Sequence, residues 1–233
     1  RKDELQQFFN FDVMNSPFGS KHLYENISNT LNLVKAEAAW PTWCLSNHDC
    51  ERVASRIGVD AARAMALFVL ALPGSTYIYN GQELGLPSGE MEDSDRQDPI
   101  YFRTKGKEKG RDGARVPLPW SGEVAPFGFT TGKPWLPLQE SWREFTVENE
   151  LKDPDSSLNL YRKALALRKE RIMGSGEIEW LNTDGLLIYR RGEITVMLNT
   201  TESTFPIEGE VLLASQKVNK ELPPRSSVWL VNN

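Results

Sequence analysis

Between residues 42 and 79 two short β-prone runs flank one long apolar helix, and that order restricts the fold more than any other stretch. Thr42-Trp43-Cys44-Leu45 is a short, mostly apolar run that reads as a strand. Residues 61–72 place Ala, Met, Leu, Phe and Val on nearly every helical face, interrupted by Arg63. An all-round apolar helix of this length is a buried one. Gly58 and Asp60 open it, with Asp60 the predicted N-cap, and Pro73-Gly74 closes it. Ser75-Thr76-Tyr77-Ile78-Tyr79 is β-branched and aromatic, hence a further strand. Strands joined through a helix pair in parallel by a right-handed crossover, so this part is α/β.

The flanking sequence extends the pattern and then leaves it. Phe8-Phe9-Asn10-Phe11 suits a short buried strand. Over residues 22–37, Leu23, Ile27, Leu31 and Val34 form one apolar stripe at helical spacing, and Pro41 stops that helix. Residues 87–154 show no sustained period; Pro, Gly, Trp and charge pairs dominate, as in functional irregular segments. Asp153-Pro154 predicts a new helix start, followed by Leu158, Tyr161, Leu165 and Arg168 at helical spacing. From Glu177 the chain turns to short strands. Leu186 to Arg190 and Ile194 to Leu198 flank Arg191-Gly192-Glu193, a hairpin signal, and residues 211–214 and 227–231 complete a small antiparallel β domain.

Charge and cysteine usage narrow the partners. A net charge of -5 and a pI near 5.3 argue against a nucleic-acid partner. Nothing approaches the roughly 20 apolar residues of a membrane helix, so no membrane association is expected. Cys44 and Cys50, with two His in the chain, are a poor basis for a four-ligand zinc site; neither metal nor cofactor is expected. A disulfide between the two is geometrically open, but thiols in a cytoplasmic protein are the expectation.

Three segments carry candidate chemistry. Asn47-His48-Asp49 ends the strand at 42–45, and parallel strands bring their carboxyl ends to ligands. The alternative is that Asn47 or Asp49 caps a turn and His48 is a satisfied, half-buried imidazole. In Gly81-Gln82-Glu83-Leu84-Gly85, Glu83 could be proposed as an acid but reads as a structural hydrogen-bond acceptor. Gly110-Arg111-Asp112-Gly113-Ala114-Arg115 offers two guanidinium forks that can satisfy adjacent hydroxyls while pairing with a carboxylate. Arg111 is the first candidate and Arg115 the second; the competing reading is an Arg–Asp pair that stitches a long loop together.

Taken in order, these segments resemble glycoside hydrolase family 13, the α-amylase and α-glucosidase family, with α-glucosidase and oligo-1,6-glucosidase-like enzymes the closest group. Phe8-Phe9-Asn10-Phe11-Asp12 is similar to the run at that family's sixth barrel strand. Asn47-His48-Asp49 resembles the motif closing strand seven, and Gly81-Gln82-Glu83-Leu84-Gly85 the signature after strand eight. The stretch from Gly110 to Trp120 resembles a segment of oligosaccharide-cleaving members, and the one from Asp155 to Arg168 their last barrel helix.

The resemblance implies the last strands and helices of a (β/α)8 barrel over residues 1–174, with the irregular segment at 87–154. A small antiparallel β-sandwich domain would follow over residues 175–233. It implies retaining hydrolysis of α-linked glucosides or oligosaccharides by an Asp nucleophile and a Glu acid about 5 Å apart. Both are expected upstream of Arg1, so the chain is expected to be the C-terminal part of such an enzyme and inactive alone. Asp49 would be the third carboxylate, stabilising the transition state as the ring flattens. His48 and Arg111, or Arg115, would bind sugar hydroxyls, with Asn47 positioning the loop. Open strand edges imply an oligomer, or pairing with the N-terminal half of the barrel. Linkage, α-1,4 or α-1,6, and hydrolysis against transfer or isomerisation stay open. So does a non-catalytic relative: a scaffold like the amino-acid-transporter heavy chains, or a carbohydrate-binding module using its Trp as platforms. Of these, Trp40, Trp43 and Trp180 are expected in the core, and Trp120, Trp135 and Trp142 are expected to be freer.

Overall fold

The computed structural model describes residues 7, 9–37 and 39–231. Its helices are α1 (Asp12–Asn15), α2 (Ser20–Ala36), α3 (Val53–Ile57), α4 (Val59–Leu70), α5 (Pro99–Arg103), α6 (Val147–Lys152) and α7 (Ser157–Leu167). Its strands are β1 (Thr42–Cys44), β2 (Ser75–Tyr77), β3 (Glu179–Asn182), β4 (Leu186–Arg191), β5 (Ile194–Asn199), β6 (Phe205–Pro206), β7 (Glu210–Ala214), β8 (Glu221–Leu222) and β9 (Ser227–Val231). Contacts gather the chain into two compact units. One holds the described residues of Arg1–Leu45, Asp60–Ile78 and Leu160–Asn233; the other holds Ser46–Val59 and Tyr79–Asn159.

In the first unit β1 and β2 pair in parallel, Trp43 opposite Thr76, as expected for strands joined through a helix. That helix, α4, is buried from Ala61 to Leu70 apart from Arg63, in keeping with its all-round apolar composition. The sheet β3-β4-β5-β9-β7 is antiparallel throughout. Arg191 pairs with Ile194, which leaves Gly192-Glu193 as a two-residue turn, and Gly192 takes the positive φ of 59° that such a turn requires. One face of this sheet, with Leu186, Met197, Val228 and Leu230, shares a core with Phe205 and Leu222 of the β6-β8 ribbon. The opposite face meets α4, with the Tyr189 ring set edge-on to Phe68 at 5.0 Å.

A helix whose carboxyl-terminal turns are buried cannot leave its last carbonyls to water. Here every carbonyl from residue 67 to residue 74 has a donor. Trp229 Nε1 donates to Leu67 O at 3.0 Å and Tyr189 Oη to Phe68 O at 2.7 Å. The Leu72 amide donates to Val69 O at 3.1 Å. Arg168 donates to the carbonyls of Leu70, Leu72 and Gly74. Arg191 Nη1 reaches Ala71 O at 3.0 Å, and Trp43 Nε1 reaches Pro73 O at 2.6 Å. The two guanidinium groups also meet the negative end of the helix dipole.

The second unit has its own core despite its irregular backbone. Leu84, Leu86, Val116, Leu118, Phe127, Leu136, Leu138 and Trp142 pack together, with Phe145 and Leu158 against them. The apolar residues are spaced by turns rather than by a helix or strand period, so periodicity does not reveal them.

Several expectations are corrected. Phe8 lies outside the described residues, while Phe9 and Phe11 are exposed and belong to no strand; Phe9 stacks on Phe11 and tilts against Tyr77 instead. Asp60 lies inside the first turn of α4, since Gly58, at φ 84°, ends α3 directly before Val59. Thr30, rather than Leu31, is buried on α2. The helix near residue 154 starts at Ser157, where the Ser156 hydroxyl caps the Asn159 amide; Asp153 forms only the preceding turn. Leu165 is exposed. Trp40 is exposed rather than core, whereas Trp142 is buried rather than free. Cys44 and Cys50 carry thiols and share no disulfide. Among the described residues no helix is long and apolar enough to cross a membrane, and no cluster of metal-ligating side chains is present.

The carbonyl run predicts a large effect at one position. Arg168→Ala strands three acceptors, each worth about 1–3 kcal/mol when left unpaired. Urea unfolding should therefore show a loss of about 3 kcal/mol or more, not recovered by Arg168→Lys, whose single ammonium lacks the fork. A loss below about 1 kcal/mol would contradict the assignment.

Candidate functional site

The site is built within the second unit, from the loop that follows β1 in sequence and from the segment around residues 97–115. The loop is shaped by its own side chains. Asn47 Oδ1 accepts the Asp49 amide at 2.8 Å, a local turn that short amide side chains form readily. Ser46 Oγ accepts the Val53 amide at 2.8 Å at the start of α3. His48 and Asp49 project from this turn with side chains 65% and 51% exposed, so both can meet a ligand.

The second segment delivers two guanidinium groups to Asp49. Asp49 Oδ1 accepts from Arg111 Nη1 at 2.8 Å and from Arg115 Nη2 at 2.9 Å. Arg115 Nε also donates to His48 O at 2.8 Å, tying the segment to the loop backbone. Asp49 Oδ2 faces His48 Nε2 at 3.5 Å. One oxygen is thus saturated and the other is left toward the imidazole and solvent. Partial desolvation pushes the Asp49 carboxyl up, but the His48 charge and the hydrogen bonds from Arg111 and Arg115 outweigh it and hold it below its ordinary value.

Arg111 is itself held from behind. Its Nε donates to Asp98 Oδ2 at 2.7 Å, its Nη2 to Asp98 Oδ1 at 3.3 Å, and its backbone amide to Asp98 Oδ2 at 2.9 Å. Asp98 is buried and also caps α5 by accepting the Ile100 amide, with Pro99 in the first turn. The Arg111 hydrogen bond, helped by the two backbone amides, outweighs burial and holds the Asp98 carboxyl well below the usual range. Asp112 Oδ2 in turn accepts the amides of Gln97 and Asp98 at 2.8 and 3.0 Å. The competing loop-stitching reading of Arg111 and its reach to Asp49 therefore coexist in one side chain: Nε and Nη2 stitch, Nη1 reaches.

All five candidates, Asn47, His48, Asp49, Arg111 and Arg115, come together. Glu83 does not join them; burial pushes its carboxyl up against its hydrogen bonds from the Glu83 and Gly81 amides. Sequence reasoning missed Asp98, although Asp before Pro at a helix start is a capping signal. It also missed Arg52 and Tyr79, which no local pattern marks. Chemically the cluster is a preorganised carboxylate with a neighbouring imidazole, suited to accepting and donating hydrogen bonds to hydroxyls.

Acid sensitivity should trace to Asp98. Its folded pKa lies below its unfolded value of roughly 3.9, so its stabilisation is full above about pH 4 and is lost as pH falls below that. Asp98→Ala should cost about 2–3 kcal/mol at pH 7 by urea unfolding, combining the lost hydrogen bonds to the half-exposed Arg111 and a lost cap. Asp98→Asn should lose less stability than the parent chain between about pH 4 and 2.5; equal losses would contradict the assignment.

Residues 2–176 match the family model described as alpha amylase, catalytic domain. A probable alpha-glucosidase of Rhizobium meliloti (strain 1021) is 39% identical over 160 residues, covering 66% of this chain and 29% of that protein. An oligo-1,6-glucosidase of Parageobacillus thermoglucosidasius is 32% identical over 196 residues, covering 71% of this chain and 35% of that protein. The chain thus spans about a third of these relatives. The crystal structure of the trehalulose synthase MutB from Pseudomonas mesoacidophila MX-45 superposes with a TM-score of 0.82 at 24% identity, over 99% of this chain and 51% of that one. At that identity the likeness concerns the fold.

Proposed function

We propose, from the premise that this chain belongs to the alpha-amylase catalytic-domain family, that it supplies part of the sugar site of a retaining α-glucosidase-type glycoside hydrolase. In this reading residues 1–174 are the C-terminal part of a (β/α)8 barrel and residues 175–233 its β-sandwich domain. The substrate is an α-linked glucoside or oligosaccharide. Asp49 accepts hydrogen bonds from hydroxyls of the ring being cleaved, and these tighten as the ring flattens toward the oxocarbenium ion. His48 binds a neighbouring hydroxyl, Arg111 and Arg115 orient the carboxylate, and Asn47 sets the turn. The nucleophile and general acid come from sequence upstream of Arg1, in a cytoplasmic enzyme.

The observation that carries this reading is the asymmetry of Asp49. Oδ1 is saturated by two arginines while Oδ2 is left toward His48 and solvent. A carboxylate fixed in that way is preorganised to accept from a ligand hydroxyl rather than to seek a partner in the protein. Charge balance supports a neutral ligand, because Arg111 and Arg115 are already matched by Asp49 and Asp98. Names of the relatives, alpha-glucosidase and oligo-1,6-glucosidase, support the substrate class.

A binding module is the second reading, favoured by the exposure of Trp135 and Trp120 in the second unit, since open indole faces stack on sugars. Calorimetric titration with maltose and isomaltose separates the two. In the first reading Asp49→Ala weakens binding about tenfold or more, the scale of one hydrogen bond to a charged group, and Trp135→Ala leaves it unchanged. The reverse pattern supports the binding module and contradicts the first reading. The chain alone is expected to be inert toward an aryl α-glucoside; turnover that follows the purified chain and vanishes in Asp49→Asn would contradict that. Because β1 and β2 form a two-stranded sheet, we expect further strands, from another copy or from the N-terminal half of the barrel, to pair with it. A monodisperse monomer in light scattering would count against pairing between copies.

A further inference from the structure

We infer that Arg52 and Tyr79 are positioning residues that hold the Asp49 loop and the Arg111–Arg115 turn in one register. The inference rests on the reading of Asp49 above only for its functional meaning; the geometry stands by itself.

Arg52 lies three residues after Asp49 and is buried, with 1% of its surface exposed. Its amide donates to Ser88 Oγ at 2.9 Å, and the Ser88 amide donates to Ser55 Oγ at 2.8 Å. Its Nη1 donates to Asn80 O at 2.6 Å, and its guanidinium lies over the Tyr79 ring at 5.0 Å. Tyr79 carries the connection onward: its hydroxyl donates to Ala114 O at 2.9 Å. Ala114 closes the short helical turn Asp112–Ala114, with its amide donating to Arg111 O at 3.0 Å and the Arg115 amide to Asp112 O at 2.9 Å. Arg111 and Arg115 therefore leave the two ends of one turn. Asp98 and Asp112 hold that turn on one side, and the Tyr79 hydroxyl, with the Gly89 amide on Gly113 O at 2.8 Å, ties it to the segment after β2. Both arginines then close on Asp49 Oδ1, completing a loop of contacts from Arg52 through Tyr79 back to Asp49.

This arrangement is costly, which argues for a purpose beyond packing. Arg52 Nε and Nη2 are buried without a hydrogen-bond partner among the described residues, and so is Glu83 Oε2. Buried polar groups are almost always paired, and exceptions gather where function outweighs stability. Burial pushes the Arg52 guanidinium down, against the pull of Tyr79 and Glu83. The backbone also makes room for it. A Cβ on Gly81 would come within 2.7 Å of Arg52 Nη1, at a φ of 83° that other residues rarely adopt. An apolar side chain would fill the space at lower cost, but it could neither hold Asn80 O nor stack as a cation on the ring that carries the Ala114 contact.

The register can be read from the ionisation of Asp49, which faces His48, Arg111 and Arg115, with Asp98 behind Arg111 and Tyr79 and Cys50 close by. We would follow the Asp49 carboxyl carbon by NMR titration in the whole chain and record thermal melts in parallel. Tyr79→Phe removes one hydroxyl and keeps the ring. It should raise the Asp49 midpoint by about half a unit or more, with the melting temperature changed by only about 2–3 °C. Arg52→Lys keeps the charge and loses the fork; it should raise the midpoint at least as much and fail to restore the parent value. An unshifted midpoint in folded Tyr79→Phe overturns the inference, whether or not Arg52→Lys folds. The reading of Asp49 as a sugar ligand fails separately, by absence of maltose and isomaltose binding in the parent chain.

Discussion

The first unit depends on one constraint: a helix buried through its last turns must find donors for its carboxyl end inside the protein. The carbonyls of residues 67–74 obtain them from Trp43, Arg168, Tyr189, Arg191 and Trp229, plus the Leu72 amide. Apolar contact alone would press the β5 and β9 face onto α4, but contact is nondirectional and tolerates sliding. The hydrogen bonds do not. Trp229 on β9 and Tyr189 on β4, the two strands that flank β5, must face Leu67 and Phe68, so the sheet has one placement on the helix. The β domain is thus the cap of α4 as much as a domain of its own.

A different economy governs the second unit. Its backbone is mostly turns, so fewer ladder hydrogen bonds are available, and charged side chains take over the work of fixing loops. Asp112 holds the amides before α5, Asp98 holds Arg111, and Arg111 with Arg115 holds Asp49. A buried ion pair often adds little net stability against an apolar replacement, because desolvation offsets its attraction. What it adds here is geometry. Asp49 is held in one orientation by Arg111 and Arg115, and in the proposed reading this removes the cost of ordering it on binding.

Helical stripes and buried runs were legible in the sequence because they obey a period. The Leu23, Ile27, Val34 stripe, the apolar α4 and the 186–198 hairpin all appear near their expected bounds. Errors fell where period gives way to local chemistry. Phe9 and Phe11 are aromatic yet belong to no strand, and Trp40 is large yet exposed. The Leu84 to Trp142 core escaped because its members are contributed by turns. In the site, the five candidate residues could be named from motifs. Asp98 was legible only as a helix cap before Pro99, and Arg52 and Tyr79 not at all, since the importance of all three lies in contacts spanning 13 to 35 positions of sequence.

The most direct test of the account is a crystal structure of the chain soaked with maltose. A glucosyl ring is expected with hydroxyls within about 3 Å of Asp49 Oδ2 and His48 Nε2, and with Arg111 and Arg115 still on Oδ1. A sugar seated on Trp135 or Trp120, with Asp49 untouched, would contradict it and make stacking rather than the oriented carboxylate the basis of recognition.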